Sequence, residues 1–363
     1  MPLTGSAATT LTVGERQDIL TITRPADWPD GTMGVVKTDT TYTFWAANGL
    51  VGSSPVGGPV RLTGTLDNPV SGGATTQSIT NLLDAFNYVG GGPVYQHSSG
   101  LLLMFYHTEK WPGGNAVNFW ASIGMAKSTD GGDTWTDLGL IITHQTPFDP
   151  NATYSADIGS GSFVVKREAD GNDYFYTYFQ NRVGNGADFN IVNLSVARAK
   201  VSDVVSAADA NATPVFKKYC KGNVNVGTFR ARCSSAQRPW GEPGLGGISS
   251  PLEARNLDAI FTAVSYNRYL RKYILLANAA QPGFDWPASD IVYLESRDGL
   301  KWSRRKIVVH QPNTLAFYPS IIDPGSDPQT TGQNFYLYYV YSESPTTEGI
   351  IGGALSRRSI SFK

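Results

Sequence analysis

The acids of this chain that sit in Gly- and Pro-rich connections beside aromatic residues are few enough to name. Asp30 stands in ADWPDGT, with Asp27 and Trp28 before it; Glu109 stands in FYHTEKW between His107 and Trp111. Asp157 lies in YSADIGSGSF, Glu242 in RPWGEPGLGG after Trp240, and Asp84, Glu253 and Asp258 in comparable connections. Carboxyls gathered in a pocket with no cluster of Lys or Arg suit the cleavage of a glycosidic bond. One carboxyl donates its proton to the leaving oxygen while another, ionised, acts as base or nucleophile. Mutual repulsion and desolvation hold their pKa values apart, and a third acid nearby keeps the donor protonated. The CH faces of sugar rings stack on aromatic rings, so Trp28, Trp111, Trp240 and Trp286 are candidate platforms.

Residues this far apart in the chain meet only if the fold gathers them. One unit recurs five times: a short apolar strand, a polar turn and a strand dense in aromatic and aliphatic residues. It reads MGVVKTDTTYTFWAAN near 33–48, GPVYQHSSGLLLMFYH near 92–107 and SFVVKREADGNDYFYTYFQ near 162–180. It returns as DAIFTAVSYNRYLRKYILLAN near 258–278 and as PSIIDPGSDPQTTGQNFYLYYVYS near 319–342. The β-branched and aromatic runs around turn residues predict hairpins. Their near-continuous apolar character predicts strands covered on both faces. More polar strand pairs follow, ASIGMAKSTDGGDTWTDLGLII and IVYLESRDGLKWSRRKIVV, so four strands per unit are expected. The pattern predicts an all-β, single-domain, five-bladed β-propeller with four-stranded antiparallel blades. DILTIT (18–23) has no hairpin partner and is expected to complete the last blade and close the ring, removing open edges. The longer third unit, through VSDVVSAADANATPVFKKYCKG, reads as an insertion, and no helical periodicity of useful length stands out.

Propeller geometry also sorts the acids. The connection before each first strand and the one after each second strand open on the same end of the ring. That places Asp30, Asp84, Glu109, Asp157, Glu242, Asp258 and Tyr318 on the pocket side, and sends Asp39, Asp170, Asp173 and the Asp323–Asp327 turn to the opposite, solvated end. Two further acids are structural. Ser128-Thr-Asp130-Gly-Gly-Asp-Thr-Trp135 follows the Asp-box pattern and Ser296-Arg-Asp298-Gly-Leu-Lys-Trp302 is a shorter version. In such a turn the Asp accepts backbone N–H bonds, Gly takes positive φ and Trp packs back on the hairpin.

Composition narrows the partners. Net charge is −1 and 16% of residues are charged, which argues against nucleic acid or an anionic membrane surface. No apolar run approaches the length of a spanning helix. Cys220 and Cys233, 13 positions apart, allow one loop disulfide or two free thiols. The sequons at Asn151, Asn193 and Asn211 fit a secreted protein; MPLTGSAATT lacks the basic start and apolar run of a leader, so the expectation is a secreted protein whose leader has been removed, the alternative being an intracellular one. The four histidines lack metal-ligand spacing. A monomer without redox cofactor is expected.

These features resemble the five-bladed propeller glycoside hydrolases, such as the family 43 arabinanases and xylosidases, and related Asp-box proteins. The resemblance implies a general base before the innermost strand of the first blade, where Asp30 stands. It implies a Glu acid before the third blade, where this chain has Asp157, and a modulating Asp before the second, where Asp84 stands several residues early. EPGLGG, similar to a segment of Asp-box carbohydrate-active proteins, makes Glu242 an alternative acid. Asp30, Asp157 and Glu242 are thus the candidate catalysts; Trp28, Asp84, His107, Glu109, Trp111, Arg182, Asp258 and Tyr318 are candidate substrate contacts. The resemblance is also compatible with a structural Ca²⁺. The expected substrate is a neutral or furanose-rich glycan. Alternatives are a non-catalytic carbohydrate-binding propeller, a lyase using His107 or Tyr318, or a sialidase-like enzyme with an arginine clamp that includes Arg182.

Overall fold

Each expected hairpin forms in a computed structural model that describes residues 10–23, 29–47, 58–114, 118–185, 188–226, 229–234, 238–252, 259–279, 290–312, 314–343 and 352–363. Gly34–Thr38 pairs with Thr41–Ala46, Val94–Gln96 with Leu102–Lys110, and Ser155–Arg167 with Asp173–Asn185. Ala259–Asn267 pairs with Lys272–Ala279, and Leu315–Ile322 with Asn334–Ser342. All five are antiparallel, as their short polar turns require.

Outer strands extend each hairpin. They are Val60–Gly64 and Ala74–Thr76 in the first unit, and Trp120–Ser128 and Trp135–Ile142 in the second. The third adds Asp188–Lys200, Lys217–Lys218 and Glu242–Pro243, and the fourth Asp290–Ser296 and Lys306–His310. The fifth adds Ala354–Phe362, which then takes Leu11–Val13 and Gln17–Thr21 from the other end of the chain. The second and third units merge into one eleven-stranded sheet, because Trp120 and Ala121 pair in parallel with Ala156 and Asp157.

Successive side chains of a strand point to opposite faces, and each sheet uses both. Val36 and Trp45 pack with Met104 and Trp135, and Phe105 and Met125 with Phe163 and Phe175. Tyr178 and Val196 pack with Leu275 and Trp302, Ile274 and Tyr293 with Leu337 and Tyr339, and Tyr338 and Leu355 with Val35 and Phe44. The five clusters thus join unit one to two, two to three, three to four, four to five, and five to one. Each fully buried aliphatic or aromatic side chain contributes about 1.5–3 kcal/mol.

The first strands of the units meet one another. Thr32 Oγ1 donates to Thr262 O at 2.8 Å and to Pro319 O at 3.1 Å. Ser162 Oγ lies 3.0 Å from Thr262 Oγ1, and Met33 N–H donates to Ser320 Oγ at 3.0 Å. A Cβ on Gly34 would lie 2.5 Å from Gly92 O, so only glycine admits this backbone approach. At the end carrying the hairpin turns, Gln329 Nε2 reaches Val35 O at 3.3 Å and also bonds Val94 O.

Two details differ from the sequence-based expectation, and one open alternative is decided. Val201–Asp209 is a helix that buries Val201, Val204 and Ala208; the helical spacing is present but spans too few residues to stand out. Asp323, expected in solvent, is 5% exposed because its carboxylate accepts from Gly325 N–H and Gly332 N–H, both at 2.7 Å. Cys220 and Cys233 are bonded, enclosing the hairpin Asn223–Val226/Phe229–Arg232. Asp130 and Asp298 fold their own turns: Asp130 Oδ1 accepts from Thr134 N–H at 3.0 Å, and Asp298 Oδ1 from Leu300 N–H at 2.8 Å.

Candidate active site

The site is written first in the sheet register. Tyr88, Glu109, Ala121, Asp157 and Arg182 stand opposite one another on successive strands. Directly opposed residues share a face, and the small Ala121 separates the two acids. His107, two residues before Glu109, shares its face.

Each acid acquires its own partners. Glu109 Oε1 lies 3.1 Å from His107 Nε2, and Glu109 Oε2 accepts from Trp111 Nε1 at 2.7 Å. The Trp111 backbone N–H in turn donates to Asn87 Oδ1 at 2.8 Å. Asp157 Oδ2 accepts from Gln180 Nε2 at 2.8 Å and from the Arg182 guanidinium, an ion pair whose side chains are 1% and 4% exposed. Asp157 Oδ1 and His107 Nδ1 are buried without a hydrogen-bond partner among the described residues.

Asp30 enters from the first unit. Its N–H bonds Ala47 O at 3.1 Å, and Gly31 after it takes φ 133°, turning the chain into the Gly34–Thr38 strand. Its half-buried carboxyl accepts from Tyr88 Oη at 3.1 Å and from Tyr318 Oη. Tyr318 is held in left-handed backbone at φ 58°, in a bulge of Leu315–Ile322 between Phe317 and Ser320. Phe261 occupies the matching bulge of the fourth unit at φ 50°, its ring 4.5 Å from that of Tyr318. An amide from the preceding unit accepts the N–H of each: Gln180 Oε1 from Phe261 at 2.9 Å, and Asn278 Oδ1 from Tyr318 at 3.1 Å.

Electrostatics separate the groups. Burial pushes the Asp30 carboxyl above its ordinary value; the Tyr318 hydrogen bond opposes this and the Glu109 charge adds to it. Burial pulls the His107 imidazole down, but the hydrogen bond and charge of Glu109, with the Asp157 and Asp30 carboxylates, outweigh it and raise its pKa. Burial pushes the phenols of Tyr88 and Tyr318 well above 10.0, so both stay hydrogen-bond donors.

Of the residues expected at the site, Asp30, His107, Glu109, Trp111, Asp157, Arg182 and Tyr318 come together in this network. Glu242 does not share its contacts. It sits on the outermost strand of the third unit, where its carboxylate accepts from Ser234 N–H and faces the buried Lys218. Asp84 turns outward to an ion pair with Lys110 at 2.5 Å, its side chain 43% exposed. Trp28 and Asp258 lie outside the described residues. Tyr88, Gln180, Asn278 and Phe261 were missed. Tyr88 precedes the second hairpin of the sequence as Tyr318 precedes the fifth, and Gln180 is the last residue of the sequence unit near 162–180, so the rule used for the acids reaches both. Asn278 ends the unit near 258–278 and is reached in the same way, whereas Phe261, an apolar residue inside a strand, carries no comparable signal.

No family model and no curated relative matches the chain. Its fold is similar to that of solved structures. One is the alpha-L-arabinofuranosidase from Podospora anserina in complex with cellotriose, at TM-score 0.52 and 11% identity, covering 95% of this chain and 97% of that one. Another is the catalytic domain of the Coprinopsis cinerea GH62 alpha-L-arabinofuranosidase, at TM-score 0.50 and 11% identity, covering 94% and 97%. An N-acetylgalactosamine deacetylase from F. plautii in complex with blood group B trisaccharide matches at TM-score 0.50 and 11% identity, covering 96% and 90%. At such identity the likeness is one of fold, and at that level it agrees with the resemblance drawn from the sequence.

Proposed function

We propose that this protein is a glycoside hydrolase acting on a neutral or furanose-rich glycan in a pocket at one end of a closed, five-bladed ring. The five inter-unit clusters and the N-terminal strands on Ala354–Phe362 support the ring. The single observation that carries the activity is Asp30: a carboxyl raised by burial, held by tyrosines of two other units, beside the second acid Glu109.

In this reading Asp30 exchanges the proton at the scissile bond and Glu109, 17% exposed, is the second carboxylate. Asp157 is closed off and its Oδ2 is taken by Arg182 and Gln180. Its part is to join Glu109 in favouring the protonated form of His107, rather than to serve as the Glu-type acid that the resemblance implies. Trp111, tied to Glu109, offers a half-buried ring to a sugar face. Two-carboxyl chemistry of this kind calls for no redox group. The disulfide supports secretion into an oxidising compartment.

A screen of glycans for new reducing ends, with absorbance near 235 nm and acetate release followed in parallel, tests the reading. Reducing ends alone, abolished by Asp30→Asn, are expected. Unsaturated product would make it a lyase, acetate a deacetylase, and binding without product a lectin-like protein.

A further inference from the structure

Asn278 makes no hydrogen bond to Asp30, yet its own hydrogen bonds lead there. It is fully buried in Lys272–Ala279, the second strand of the fourth unit. Its Nδ2 donates to Asp290 O at 3.2 Å, within its own sheet, and to Ala316 O at 2.7 Å, in the fifth unit. Its Oδ1 accepts from Tyr318 N–H at 3.1 Å. One planar amide therefore grips the fifth unit's first strand at two points, Ala316 and Tyr318, on either side of Phe317.

Between those points the chain enters a bulge, and Tyr318 adopts φ 58°. Left-handed backbone at a bulky residue is strained and persists only where neighbours over-determine it. A bulge re-aims a side chain; here it turns the Tyr318 phenol onto Asp30. The ring is steadied from the side by Phe261 at 4.5 Å. The same device occurs one unit earlier, where Gln180 accepts from the N–H of Phe261 at φ 50° and donates to Asp157. Two units with different residues thus repeat one arrangement: an amide on the second strand clamps the left-handed residue in the next unit's first strand.

We propose that Asn278 is a positioning residue for Asp30, acting through the backbone of Tyr318 so that the Tyr318 hydroxyl remains on the Asp30 carboxyl. The proposal rests on Asp30 being the working acid of the pocket, and it names what sets the protonation of that acid. Without the clamp, the left-handed turn relaxes, the phenol swings away, and the carboxyl loses a donor that favours its ionised form. The pH at which Asp30 releases its proton then rises.

The experiment reads that titration directly and without substrate, so it gives an answer even if the protein hydrolyses no glycan. The carboxyl ¹³C shift of Asp30 in the labelled protein, identified by its loss in Asp30→Asn, is followed against pH in the native protein, Tyr318→Phe, Asn278→Ala and the double variant. Tyr318→Phe and Asn278→Ala are each expected to raise the midpoint by about half to one pH unit. The double variant is expected to match Tyr318→Phe alone, because both changes remove the same hydrogen bond. Asn278→Ser, whose short hydroxyl does not span to Tyr318 N–H, replaces Asn278→Ala if that variant fails to fold. An Asp30 midpoint unmoved by the Asn278 change, or effects that simply add in the double variant, would overturn the proposal. A purely structural role for Asn278 would lower the melting temperature and leave the midpoint in place.

Discussion

Tyr88 Oη donates to Asp30 Oδ2 at 3.1 Å across 58 positions of the chain. The contact joins the entry to the first unit with the entry to the second. It sets a buried neutral donor, with its own pKa held well above 10.0, against a carboxyl that burial pushes upward. A site built this way favours function at some expense of stability, and the expense is measurable.

Asp30 has a raised pKa in the folded state. Below its ordinary value of 3.8 the carboxyl is protonated in both states and contributes nothing. Above that value the unfolded chain ionises first and binds fewer protons than the folded one, so stability falls as pH rises to the folded midpoint. Asp30→Asn is therefore expected to melt above the native protein at pH 7, with the gap closing at pH 3.5, while the proposed hydrolysis is lost. Thermal melts at the two pH values check it, and an Asn variant that is less stable at pH 7 contradicts it.

His107 shows the opposite sign. Its raised folded pKa contributes stability that is complete below about 6.5 and is lost as pH rises through the folded midpoint. Glu109→Gln removes the leading favourable partner, leaving burial to pull the imidazole down. Histidine Cε1–H resonances are expected to show the His107 midpoint dropping in that variant. A midpoint that stays put would mean that Asp157 and Asp30 suffice to hold the charge.

The Asp157–Arg182 pair is buried on both sides, so removing one partner strands the other's charge. Arg182→Met or Asp157→Asn is expected to cost about 3–5 kcal/mol in urea unfolding. The combined variant should cost much less than the sum of the two. Strict additivity would show that the two groups do not interact.

Lys218 is fully buried, its Nζ bonding Thr143 O at 2.5 Å and Gly247 O at 2.6 Å, and burial lowers its pKa to about 7. From pH 10.5 down to about 7 the unfolded chain takes up a proton that the folded one declines, so this residue makes the protein more stable in alkali than at neutrality. Lys218→Met is expected to flatten that part of the stability–pH curve. Urea midpoints at pH 7 and pH 9.5 measure it, and an unchanged slope would assign the pH dependence to other groups.

The primary structure by itself determined the local parts. Alternation, β-branched and aromatic runs and turn residues located all five hairpins, since those signals act within a few residues of one another. The same reasoning placed Asp130 and Asp298 in structural turns, where each carboxylate folds the segment that carries it. It also nominated Asp30, His107, Glu109 and Tyr318, because hairpin order alone says which connections would open on one end of the expected ring.

Only the tertiary structure decided which of these meet. Asp157 faces Arg182 because two strands align in one register, and both lie in line with Glu109 because Ala121 pairs in parallel with Asp157. Glu242 and Asp84 left the group because an outer strand and a nearby Lys110 claimed them. Asn278 and Phe261 joined it through a bulge and a left-handed residue, neither of which leaves a trace in residue type. A side chain's direction depends on register, on backbone φ and on neighbours more than a hundred residues away, and those are properties of the packed sheets rather than of any stretch of chain.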